Sequence, residues 1–120
     1  MKKFASTLII AFAMAAMAIN TSCTKEYFAP IPAPEVVSFT NDIQPFFNAK
    51  CTNCHGNTNP NLEFPDSYDN LINGGYIDLA TPENSLLYKK INVGGSMSAY
   101  ASPTERNLTL KWIEQGAKDN

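Results

Sequence analysis

A chain of 120 residues is long enough for one domain and too short for two, which excludes large multidomain enzymes. Its 44% hydrophobic and 17% charged content fits a chain that packs a core rather than a disordered one. Nine basic against eleven acidic residues, with no basic block, leave no source for counterion release and argue against nucleic acid as a partner.

Met1-Lys2-Lys3 is a basic start followed by an apolar run from Leu8 to Ile19, the pattern of an export signal. At ~1.5 Å per residue, about twelve residues fall short of the ~30 Å of hydrocarbon that a retained transmembrane helix must cross. The run ends in Asn20-Thr21-Ser22-Cys23, and small residues directly before a cysteine resemble a bacterial lipoprotein signal. Asn20 stands where such signals usually carry an aliphatic residue, with Ile19 one place earlier. This reading makes residues 1–22 the signal peptide and Cys23 the lipidated first residue of the mature protein; ordinary signal cleavage nearby is the alternative. The mature protein would have 98 residues and, with Lys2 and Lys3 gone, seven basic against eleven acidic side chains, a formal charge of −4. Residues 23–37 follow as a tether with Pro30, Pro32 and Pro34 on alternate positions, a composition that favours polyproline II. At ~3.1 Å per residue, about fourteen such residues reach roughly 40 Å from a bilayer. Folded structure is expected from near Val37, with the globular domain covering residues 38–120.

The remainder predicts a mainly α fold: helices separated by Asn- and Gly-rich loops, without sustained strand alternation. A first helix is expected over Asp42–Lys50, with Asp42 as N-cap, Pro45 in the first turn where a missing N–H costs no helical bond, and Ile43, Phe46 and Phe47 on its apolar face. A second should follow Asp66 or Ser67, bury Tyr68, Leu71 and Ile72, and stop at Gly74-Gly75. Thr81-Pro82 predicts the start of a third, with Leu86, Leu87 and Ile91 buried. Ser102-Pro103-Thr104-Glu105 combines a capping box with proline at the first helical position, so the last helix has the best-specified start. Leu108, Trp112 and Ile113 form its apolar stripe until Gly116.

Between the first two helices lies Cys51-Thr52-Asn53-Cys54-His55. In an exported protein the spacing C-x-x-C-H reads as covalent haem attachment: two sulfurs bond the two vinyl groups and the adjacent histidine reaches the iron. Two intervening residues let one helical turn present both sulfurs to one porphyrin edge. A disulfide or thioredoxin-like redox pair would use Cys51 and Cys54, but the motif lacks that fold's strand-then-helix context and leaves His55 unexplained. Zinc usually needs four ligands, and the mature protein offers Cys51, Cys54, His55 and the remote Cys23. With Cys23 taken by lipid and the other two by thioether bonds, no free thiol would remain.

His55 is the only histidine, so a second histidine ligand within the protein is excluded. Met1, Met14 and Met17 belong to the signal, which leaves Met97 as the candidate sixth ligand, in the loop Gly94-Gly95-Ser96-Met97. A methionine that only fills a core gap is the competing reading. Lys89 or Lys90 could substitute, but both are expected on a solvated helical face.

The stretches TNDIQPFFNAKCTNCHG, SLLYKKINVGGSM and LTLKWIEQGA resemble a small class I cytochrome c, similar to the cytochrome c modules of bacterial lipoproteins, over roughly Ser38 to Lys118. The resemblance implies a small helical domain packed around one covalent haem c, with His55 as proximal and Met97 as distal ligand. It also implies that the first and last helices cross, with Phe46 or Phe47 near Leu108 and Trp112. The family often places proline directly after the ligand methionine, where Ser98 stands here.

Such a domain is expected to be a one-electron carrier rather than an enzyme, tethered by lipid to a bacterial membrane on its periplasmic or cell-surface side and exchanging electrons with redox partner proteins. With His and Met both bound, iron has no open position, and this ligand pair raises the reduction potential. Two other functions compete: a haem sensor or peroxidase-like enzyme with an open or labile distal site, and an interaction module whose haem is structural. No second titratable cluster accompanies the motif, since Asp42 and Glu63 are not an evident acid–base pair.

Overall fold

The computed structural model describes residues 32–120. The expected signal, Cys23 and the tether as far as residue 31 lie outside the described residues. Among those described the architecture is mainly helical, and no strand forms. The helices are α1 (Gln44–Lys50), α2 (Thr52–His55), α3 (Ser67–Asn73), α4 (Leu86–Ile91) and α5 (Pro103–Glu114). A wide π-type turn, Phe39–Ile43, runs straight into α1, and single 3₁₀ turns occupy Pro82–Asn84 and Ser98–Tyr100.

Helical winding starts before the expected Asp42, and the cap is Ser38. The Ser38 hydroxyl accepts from the Asn41 amide at 3.1 Å, while the Asp42 carboxylate accepts from the Ser38 amide at 2.8 Å. Asp42 thus caps from inside the turn instead of preceding it, satisfying an orphan donor one turn earlier. This shift brings Phe39 into the core. Its ring meets Tyr68 edge-on at 5.3 Å, Phe47 edge-on at 6.2 Å and Trp112 in a tilted contact at 5.1 Å. Such pairs add ~0.5–1.5 kcal/mol each beyond the area they bury.

The last helix begins as the sequence predicts: Ser102 Oγ accepts from the Glu105 amide and the Glu105 carboxylate accepts from the Ser102 amide. Trp112 and Ile113 are buried, and Leu108 packs partly buried against the same core. The two ends of the domain meet: α5 contacts the Phe39–Ile43 turn, the rings on Trp112 are Phe39 and Tyr68, and Phe46, Phe47 and Leu108 belong to the same core. Polar contacts hold the same junction. Gln115 accepts from the Val37 amide at 2.9 Å and donates to the Glu35 carbonyl at 2.6 Å, and the Trp112 indole donates to the Lys118 carbonyl at 2.9 Å.

The helix after Asp66 matches its expected limits, with Gly74 as cap and Gly75 at φ +74°, the left-handed conformation glycine adopts without Cβ strain. Leu71 is buried and Tyr68 half-buried, while Ile72 is exposed. The helix expected from Thr81-Pro82 departs further. Pro82–Asn84 makes one tight turn, and the helix proper starts only at Leu86. Ser85 separates the two because its hydroxyl is committed backwards, accepting from the Asp78 amide at 2.9 Å. As a result Leu87 and Ile91 are buried and Leu86 is exposed.

Candidate functional site

Cys51 closes α1 and opens α2. Its amide donates to Phe47 and its carbonyl accepts from both Cys54 and His55, so a single backbone turn carries the whole motif. This turn fronts an apolar cleft of about 400 Å³. Cys51, Cys54 and His55 line it together with Phe46, Phe47 and Leu62, with Leu87 and Ile91 of α4, and with Met97. Its size and apolar lining suit a flat organic cofactor. The four residues singled out in the sequence therefore share one cavity, although Met97 lies 42 positions after His55. Cys23 lies outside the described residues.

His55 is oriented by the loop that follows it. Nδ1 lies 3.1 Å from the Pro60 carbonyl oxygen, which can only accept, so in the neutral ring Nδ1 carries the proton and Nε2 the lone pair. The loop is pinned twice more. The Leu62 amide donates to the His55 carbonyl at 2.7 Å, and the Leu62 carbonyl accepts from Gln44 at 3.1 Å. Gln44 is buried, donates also to Asn48 at 2.7 Å, and accepts from the Ser67 hydroxyl.

Cys54 is exposed and Cys51 half-buried, and no disulfide joins the two. Burial, with the nearby Glu105 carboxylate adding to it and Lys50 opposing, pushes the Cys51 thiol up to about 11. The Cys51 site thus disfavours a thiolate and accommodates a neutral sulfur. Among the described residues no group of three His, Cys, Asp or Glu side chains is arranged to hold a metal ion.

Met97 is 37% exposed and borders the cleft at the start of the Ser98–Tyr100 turn. Its amide donates to the Lys90 carbonyl at 2.8 Å, capping the end of α4. Gly95 makes that approach feasible, because a Cβ there would overlap the Lys89 and Lys90 carbonyl oxygens. Lys90, expected on a solvated face, is exposed yet also borders the cleft.

Sequence reading missed Pro60, Leu62, Tyr76 and Tyr100 as cleft residues and Gln44 and Arg106 as their supports. The exposed Leu86 also borders the cleft. Comparison with protein-family models, curated proteins and solved structures finds no match for this protein.

Proposed function

We propose that the protein is a single-haem c-type cytochrome, a one-electron carrier tethered by lipid on Cys23 to a bacterial membrane and facing the periplasm or cell exterior. The observation that carries the proposal is one apolar cleft lined at once by both C-x-x-C-H sulfurs, by a histidine with a free Nε2 and by the sole methionine outside the signal segment.

The residues present fit covalent haem. A thioether is uncharged and suits the Cys51 position, where burial disfavours a thiolate. Cys51 and Cys54 would hold the group, His55 Nε2 would serve as proximal ligand and Met97 sulfur as distal ligand. When bound, haem supplies one-electron chemistry at an iron whose potential the His/Met pair raises. The protein's own contributions are to bind, orient and dry the site. Phe46, Phe47, Leu87 and Ile91 exclude water from the cleft, and the Pro60 carbonyl fixes the His55 tautomer and its ring rotation.

Protein matured in a haem-attaching periplasm tests the reading. It should retain one haem per molecule on a denaturing gel, with the corresponding mass increase, and should be low-spin and six-coordinate when reduced. Release of all haem on denaturation would overturn covalent attachment. The sensor or peroxidase-like reading draws on the partial exposure of Met97. A high-spin parent that binds carbon monoxide readily would favour it.

A further inference from the structure

Resting on the cytochrome reading, we propose that Arg106 is the positioning residue for the distal ligand, clamping the loop that presents Met97. Arg106 stands in the first turn of α5, and its guanidinium bridges both ends of this loop. Nε donates to the Ile91 carbonyl at 2.9 Å and Nη2 to the Ser98 carbonyl at 2.7 Å. The first acceptor is the last residue of α4; the second belongs to the residue directly after Met97. Between them the Met97 amide is bonded to Lys90, so the loop is held at both ends and at the methionine itself. A rigid fork of donors spans two fixed carbonyls at once, which a lysine ammonium on a flexible stem does not reproduce.

The turn adopted here has no room for a proline after Met97 to stiffen it. Met97 has ψ +8°, a conformation disfavoured before proline, and the Ser98 amide that proline would remove donates to Gly95 at 3.1 Å. Beyond the loop's own backbone bonds, support comes from outside it, and Arg106 is the side chain that reaches it. The start of α5 is itself fixed by the Ser102–Glu105 capping box, so the guanidinium is anchored on the best-specified helix end in the molecule.

The test uses full-length protein carrying its haem, with Arg106→Lys and Arg106→Gln compared with the parent and with Met97→Ala. Readouts are the thioether-to-ferric-iron charge-transfer absorption and carbon monoxide affinity of the reduced protein. Arg106→Lys should weaken or abolish the absorption and raise carbon monoxide affinity about tenfold, the change expected from one lost charge-assisted hydrogen bond. Covalent haem content and far-ultraviolet dichroism should stay at parental levels, which separates a positioning role from a general folding role. Parental absorption and affinity in both variants, with Met97→Ala altered, would overturn the Arg106 assignment alone. A parent unaltered by Met97→Ala would instead overturn Met97 ligation. Should neither arginine variant accumulate, the parent's Arg106 Nε–H resonance decides: slow exchange supports the clamp and fast exchange overturns it.

Discussion

His55 Nδ1 and the carbonyl oxygen of Pro60 lie 3.1 Å apart, and in the neutral ring this contact leaves Nε2 as the free imidazole nitrogen, the atom that would ligate iron under the cytochrome proposal. The carbonyl is held in turn by its own loop, which Gln44 anchors through Leu62. A buried amide on α1 thereby supports the loop that orients His55, eleven positions later in sequence. His55→Ala should leave the cysteines in place yet remove the proximal ligand. Haem-stained protein should fall in yield, and what matures should lose the low-spin absorption of the parent. An unchanged reduced spectrum in His55→Ala would remove the histidine from the site.

Gln44 satisfies three polar groups at once: the Leu62 carbonyl, the Asn48 amide oxygen and the Ser67 hydroxyl. Gln44→Met preserves length and apolar volume while leaving the fully buried Ser67 hydroxyl and the Leu62 carbonyl without this partner. Unsatisfied buried groups cost ~1–3 kcal/mol each, so a net loss of about 2–4 kcal/mol is expected. Urea unfolding should show a lower midpoint at unchanged slope. A loss of under about 0.5 kcal/mol, the range of ordinary surface substitutions, would mean that the loop is held without Gln44.

The contrast between α5 and the start of α1 shows what the sequence made legible. Ser102-Pro103-Thr104-Glu105 is a local signal in which each partner lies within four residues, and the structure follows it. Asp42 looked equally local, but Ser38 competes for the same role one turn earlier, and burial of Phe39 against Trp112 decides between them. The motif Cys51–His55 stands out in the sequence because its residues are contiguous, and the structure places them on one cleft. Pro60 and Arg106 do not stand out, because a backbone carbonyl and a surface-type side chain acquire their roles only when the loop and α5 meet. Leu86 misled for a related reason: periodicity assigns it to a helix face, and only the cleft explains why that face stays open.

Cys23 lies outside the described residues, and its test is cellular. Cys23→Ser should shift the protein from the membrane fraction to the soluble fraction, while haem content per molecule stays at the parental level. The two sites are separable because the tether, not the haem domain, would carry the anchor. Unchanged membrane association of Cys23→Ser would remove the lipoprotein assignment and leave the cytochrome reading intact.

Lys50 and Glu105 meet at 2.7 Å and join the end of α1, one residue before the motif, to the first turn of α5. Burial pushes the Glu105 carboxyl upward, but the hydrogen bond from Lys50 and those with Ser102 outweigh it and hold the group below the ordinary carboxylate range. A carboxylate with a folded-state pKa below its unfolded value contributes stability above the unfolded pKa. That contribution is lost as pH falls through the folded value. Glu105→Gln isolates the charge, because glutamine can still accept from the Ser102 amide in the capping box. At neutral pH the variant should be less stable than the parent by about 0.5–1 kcal/mol, and added salt should narrow the gap. As pH drops below the ordinary carboxylate range the parent should lose this advantage and the two unfolding midpoints should converge. A gap that persists undiminished in acid would show that Glu105 acts through packing and capping rather than through its charge on Lys50.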